Sequence, residues 1–118
     1  THWTFRGTLF KRSEWLGRWN KRAVIVSPGL ISWYEPNGTQ RGAAPLLGRV
    51  DVRIAGTQLT VCVGKRMLRF RVARVGDALE PWRDVILRSA QAELPEAEAE
   101  AFAVCEAGDD GADDGGAR

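Results

Sequence analysis

Two runs of alternating residues flank a Gly64-Lys65 pair. Val61 and Val63 alternate before it, and Leu68, Phe70 and Val72 alternate after it, with Arg69 and Arg71 in between. Side chains on a strand point to opposite faces in turn, so this period of two gives an antiparallel hairpin with one buried face and one wet face. A helix repeats every 3.6 residues and would scatter the same apolar residues around its circumference. The hairpin therefore commits at least part of the chain to a sheet.

The rest of the first ninety residues agrees. A first strand is predicted over Trp3 to Lys11, then a loop from Ser13 to Gly17, then a second strand from about Arg18 to Val26. Ser27-Pro28-Gly29 and Pro36-Asn37-Gly38 are turn signals on either side of a third strand, Leu30 to Glu35. Val50, Val52 and Ile54 alternate within Leu46 to Ile54, which carries one or two more strands. A loop from Val75 to Trp82 leads to a last strand near Asp84 to Ala90. Gln91 to Ala107 is rich in Ala and Glu, has Pro95 in its first turn, and is predicted to be a helix. Gly108 to Arg118 is Gly/Asp-rich and is expected to be disordered. Strands first and one helix last make a mainly β fold: seven strands in a bent antiparallel barrel or sandwich, capped by one C-terminal α-helix. At 118 residues the chain suits a single domain, taken as residues 1–106, with 107–118 as an acidic tail or linker. It does not begin with Met, so it reads as an excised domain, and its start lacks the layout of a signal peptide.

The net charge of +2 hides an asymmetry. Residues 1–76 hold fourteen Lys/Arg against three acids, a balance of +11, while residues 77–118 hold three Arg against twelve acids, a balance of −9. The first part attracts anions through its summed field. Six of its cations, Arg6, Lys11, Arg12, Arg18, Lys21 and Arg22, crowd the first hairpin among Trp3, Trp15 and Trp19. Such a surface suits lipid headgroups, inositol phosphates or nucleic acid. Cys62 and Cys105 are too few for a disulfide framework and read as small buried residues of a reducing compartment. His2 is the only histidine, which leaves no triad or His-based metal site, and no Gly-rich phosphate loop is present. An enzyme, a cofactor and a metal are therefore not expected.

Parity singles out two of the cations. Gly7, Leu9 and Lys11 share one face of the first strand; Asn20, Arg22, Val24 and Val26 share one face of the second. If Leu9, Val24 and Val26 enter the core, Lys11 and Arg22 continue the core face to the end of the barrel. A core face that turns basic is costly unless an anion or water meets it. Arg12, Arg18 and Lys21 fall near the rim. Trp15, at the loop tip, has the amphipathic ring suited to a headgroup layer. The run Lys65, Arg66, Arg69, Arg71, Arg74 is taken as the wet face of the later hairpin.

Order and residues together resemble a pleckstrin homology (PH) domain. The resemblance rests on Gly7-Thr8-Leu9-Phe10-Lys11, on Trp19-Asn20-Lys21-Arg22, on Gly29 to Glu35, and on Val85 to Ala90 as the last strand, and it covers residues 3–106. It implies a seven-stranded bent barrel plugged by its C-terminal helix, with a phosphoinositide site at the open end between the first two strands. Lys11 and Arg22 match the ends of the lipid-selective signature, and Trp33 aligns with its ligand-contacting tyrosine. Tyr34 takes that role if the register slips by one. Asn20 stands where a middle cation belongs, which implies weak or broad headgroup selectivity. The tryptophan of the family's helix has no counterpart after Trp82, so Phe102 or Ala97 is expected in its place.

The expected function is a non-catalytic module that binds phosphoinositide or other anionic lipid and recruits its parent protein to the membrane surface. It would then be cytoplasmic and peripherally membrane-associated. The alternative is a PH-like scaffold for protein partners. Nucleic acid is the less favoured third partner.

Overall fold

The computed structural model describes residues 3–91. Seven strands form one antiparallel sheet: β1 (Phe5–Arg12), β2 (Trp19–Ser27), β3 (Leu30–Tyr34), β4 (Gln40–Pro45), β5 (Val50–Ala55), β6 (Gln58–Val63) and β7 (Arg66–Val72). Their order is β4-β3-β2-β1-β7-β6-β5, so β1 lies at the centre and β4 and β5 at the two ends. One helix, α1 (Glu80–Ser89), follows and packs against β5 and β2. This is the seven-stranded, helix-capped fold that the alternation and turns predict.

The core collects the inward faces of the strands. Leu9, Val24, Val26, Ile31, Trp33, Leu59, Val61, Leu68 and Phe70 are buried there. Leu9, Val24 and Val26 enter the core as the parity required. The 61–72 hairpin has the expected register, with Val61 across from Leu68 and Val63 across from Arg66. The Asn37 turn also forms: Asn37 Oδ1 accepts from the Thr39 N–H at 2.9 Å.

Three expectations change. Asp84 to Ala90 is not a strand but the body of α1. Val85-Ile86-Leu87 is an apolar run that fits either period when taken alone. The decision lies further off: Leu79, Trp82, Ile86 and Ser89 are buried at spacings of three and four, a helical stripe. Pro81 in the first turn, Glu80 beside it and Arg88 in the last turn suit a helix and its dipole. The seventh strand is instead β4, whose Gly42-Ala43-Ala44 centre carries no β-branched or large side chain to announce it. Cys62, thirdly, is only half-buried, across from Asp51 and Met67 on its neighbouring strands, rather than inside the core. The helix expected over Gln91 to Ala107 lies outside the described residues, apart from Gln91.

Phe102 and Ala97, expected as the plug, lie outside the described residues; among those described, the aromatic that α1 buries against the sheet is Trp82. Its indole is 6% exposed and meets Phe5 edge-on, with centroids 4.8 Å apart at 89°. Its ring edge comes up against Gly7, where an added Cβ would stand 2.8 Å from a ring carbon. Gly7 is thus required by close approach, since any side chain would displace the plug. The end of α1 is pinned to the β2–β3 turn. The Ser89 hydroxyl donates to the Ser27 carbonyl and accepts from the Leu30 N–H at 3.3 Å, and the Gly29 N–H donates to the Ser89 carbonyl at 2.9 Å.

Candidate functional site

At the end of the sheet away from Trp82, the inward face turns from apolar to basic. Lys11 lies across from Asn20, and Leu9 lies across from Arg22, so all four occupy one face of the β1–β2 ladder. Lys11 and Arg22 are diagonal neighbours on it. Both are buried, Lys11 to 2% and Arg22 to 8% exposure. Each charge that leaves water at such burial costs several kcal/mol, about the scale of a whole buried side chain's contribution, unless other groups replace the hydration.

The replacement is visible. Lys11 Nζ stands 4.6 Å from the centroid of the Trp33 ring and donates to the Arg12 carbonyl at 3.4 Å. Trp33 is 1% exposed and lies beneath Lys11, edge-on to Phe70 at 6.5 Å. The guanidinium of Arg66 lies over the same ring at 5.5 Å. Its Nε donates to Glu14 Oε1 at 2.9 Å, which ties β7 to the β1–β2 loop. Arg22 Nη1 donates to the Lys21 carbonyl at 3.0 Å. A cation on an aromatic face is stabilised by about 0.5–2 kcal/mol, so Trp33 offsets part of the burial of two charges.

Arg66 is a member of the site that the sequence reading put on the wet face. The signal was present: Arg66 shares parity with Leu68 and Phe70, whereas Arg69 and Arg71 take the other face. Grouping all five cations as one run concealed it. Arg41, on β4, is another half-buried cation, paired away from the Trp33 ring. Its side chain is 12% exposed and pairs with Glu35 at 3.5 Å beside the Trp33–Tyr34 bulge. No strand was read there, so no parity could place it.

The β1–β2 loop is built around Ser13, itself 2% exposed. Its Oγ accepts from the N–H groups of Trp15 and Leu16 at 3.3 and 3.2 Å, and its own N–H donates to the Arg18 carbonyl at 2.7 Å. This tight turn, closed by Gly17 at φ 71°, presents Trp15 at 78% and Leu16 at 45% exposure. Arg12 folds back over Gly17, and its Nε donates to the Gly17 carbonyl at 3.3 Å.

The remaining candidates are not brought to the mouth. Arg12 and Lys21 point from the opposite face of the β1–β2 ladder, where Lys21 lies across from Phe10 and Arg12 from Trp19. Trp19 is wall packing on that outer face, with the Arg71 guanidinium 4.6 Å above it. Arg18 is exposed at the entry to β2. Tyr34 is across from Ala23 on the outer face, one residue out of phase with Trp33, so the register that would give it the ligand role does not occur. Among the described residues, no group of three His, Cys, Asp or Glu is placed to hold a metal.

No family model matches the chain, and no curated protein matches it either. Solved structures do. The crystal structure of the C-terminal PH domain of pleckstrin superposes with a TM-score of 0.64 at 18% identity, over 77% of this chain and 99% of that one. The same domain in complex with D-myo-Ins(1,2,3,4,5)P5 gives 0.61 at 20% identity, over 72% and 95%. The human PH domain of oxysterol binding protein-related protein 11 gives 0.61 at 17% identity, over 86% and 88%. The chain has the PH fold.

Proposed function

We propose that this PH fold serves as a phosphoinositide-binding module, which holds an anionic headgroup at the mouth and brings its parent protein to the membrane surface. The observation that carries the reading is the pair Lys11 and Arg22, buried side by side on an inward face where the core gives way to the open end. Arg22 presents a planar fork for bidentate contact with a phosphate, and Lys11 a compact charge. Arg66 stands over the same Trp33 ring as Lys11. The exposed Trp15 and Leu16 at the adjoining loop tip suit insertion among headgroups while the mouth engages one of them. The inositol phosphate complex of the pleckstrin domain, which shares the fold, supports this choice of ligand. Asn20, directly across from Lys11, brings an amide rather than a third charge, so the binding is weak or broad in its selectivity. A cytoplasmic, peripherally membrane-bound protein follows from this reading. No helix among the described residues is long and apolar enough to cross a membrane.

Pelleting with vesicles that contain phosphoinositide tests it. Near an anionic leaflet each cation is worth about 1 kcal/mol, so Lys11→Gln with Arg22→Gln lowers binding about thirtyfold. A circular dichroism melt checks that the double variant folds. Unchanged pelleting by a folded double variant overturns the proposal.

One observation favours a second reading. Lys11 is stacked on Trp33, and Arg66 is tied to Glu14, so the mouth is partly satisfied by the protein itself. A scaffold that contacts protein partners through its surface, with no lipid bound, would show no pelleting even for the unaltered chain at physiological salt.

A further inference from the structure

The outer face of β2, β1 and β7 carries a band of cations that the mouth does not use. Its rows follow from the register: Lys21 lies across from Phe10 and Phe10 from Arg71, while Arg12 lies across from Trp19. Arg69 is two residues from Arg71 on β7 and so shares its face. The Arg71 guanidinium stands 4.6 Å from the Trp19 ring and 5.4 Å from the Phe10 ring. Cation–π contact with two rings fixes the plane of that guanidinium, and its N–H donors lie in the plane, at the edge. A guanidinium held in one plane is a prepared fork for a carboxylate, because little side-chain freedom is left to lose on binding. Arg69 Nε and Nη2 reach Met67 Sδ at 3.3 and 3.2 Å, and a thioether is a weak acceptor that a carboxylate readily displaces.

The band ends at a hollow of about 470 Å³ beside the β1–β2 loop. Arg12 and Arg69 line it, together with Trp15, Leu16 and Met67, which are 78%, 45% and 42% exposed. Exposed apolar side chains gathered at a concave place mark a contact site, as the same residues scattered singly would not. Glu14 also lines the hollow, but its carboxylate is engaged by Arg66 at 2.9 Å. Asp51, two strands from Met67 on the same face, is engaged by Arg53 at 2.9 Å. The face therefore presents positive charge beside an apolar hollow.

We infer that this face docks an extended acidic segment of a partner protein, whose carboxylates meet Arg12, Lys21, Arg69 and Arg71 and one of whose apolar side chains enters the hollow. Alternate residues of an extended chain repeat every ~6.6 Å, which is also the spacing of Arg69 and Arg71 along β7, so acids at every second position match both forks. Single-stranded nucleic acid is anionic too, but it binds such faces by stacking bases on aromatic rings, and here Arg71 lies over both rings. The surface is separate from the headgroup mouth, since Lys11 and Arg22 take the opposite face of the β1–β2 ladder. The inference does not rest on lipid binding.

An NMR titration of the full chain with the synthetic peptide Leu-Glu-Ser-Glu-Ser-Glu tests this. At low salt the peptide should shift the amides of Phe10, Trp19, Arg69 and Arg71, and its affinity should fall as salt rises. Arg69→Gln with Arg71→Gln should lower that affinity about tenfold, the loss of two exposed ion pairs. Lys21→Gln with Arg69→Gln leaves Arg71 on its two rings and should lower it by a similar factor, so a disturbed stack does not account for the result. Replacing the peptide's leucine by serine should cost about fivefold. Affinity unchanged in both double variants overturns the inference. So does equal binding of a peptide with Gln in place of Glu, or of the one without leucine. So does binding that Lys11→Gln with Arg22→Gln removes, which would put the peptide in the mouth. A single-stranded oligonucleotide that displaces the peptide and binds the same residues more tightly also overturns it, by making the face a nucleic-acid surface. The titration contains no lipid, so its failure and a failure of vesicle pelleting are told apart.

Discussion

The two ends of β1 show opposite uses of one inward face. At the first end, Gly7 gives up its side chain so that Trp82 can lie against the backbone, and Phe5 closes over the indole edge. The inward contact there is apolar and close, and the gain is stability. At the other end the same face carries Lys11, with Arg22 beside it and Trp33 beneath. Charges are buried there at a cost, and the gain in the proposed function is a place for an anion. One strand thus connects a plug to a mouth, and the change occurs between Leu9 and Lys11. Stability and binding should therefore respond to different mutations.

The largest effect is expected at the plug. Trp82→Ala should cost about 3–5 kcal/mol in denaturant unfolding, since it removes a buried ring and leaves a cavity under Gly7. A loss below about 1 kcal/mol would mean that α1 contributes little to holding the sheet closed. Ser89→Ala comes next, at about 1–3 kcal/mol, because the Ser27 carbonyl and the Leu30 N–H both lose a partner in a buried corner. Neither change touches the mouth, so whatever fraction stays folded should pellet with vesicles as before.

The mouth should behave in the converse way. Lys11→Gln with Arg22→Gln should lower vesicle binding by about 2 kcal/mol, while the unfolding midpoint moves little or rises, because two buried charges are removed. A large fall in stability with binding retained would invert the comparison between the ends. The smallest effect belongs to the loop tip. Trp15→Ala should weaken vesicle binding by about 1 kcal/mol, near fivefold, with no change in melting, since the ring touches little of the folded protein.

Much of this is legible in the amino-acid sequence. The parity of Leu9 and Val24 located Lys11 and Arg22 on the inward face, because a strand's period of two is a local rule that needs no neighbour. Arg66 was legible by the same rule through Leu68 and Phe70, and only the grouping of adjacent cations hid it. The rest was not local. Val85-Ile86-Leu87 satisfies a strand or a helix until Leu79 and Trp82 are known to share a buried stripe with Ile86. β4 is recognised as a strand by its pairing with β3, since Gly42-Ala43-Ala44 has no side-chain pattern of its own. Tyr34 and Trp33 were interchangeable as neighbours until the register with β2 put them on opposite faces.

The amino-acid sequence by itself determined most of the strands, their turns, the polarity of the charge and the pair of cations that ends the core face. These follow from alternation, turn chemistry and counting, each settled within a few residues. Only the tertiary structure decided that Asp84 to Ala90 belongs to a helix, that its Trp82 is the plug, and that Arg66 stands over Trp33 at the basic end. Each of these depends on which distant residues come into contact, and that depends on how seven strands and a helix divide one small core among them.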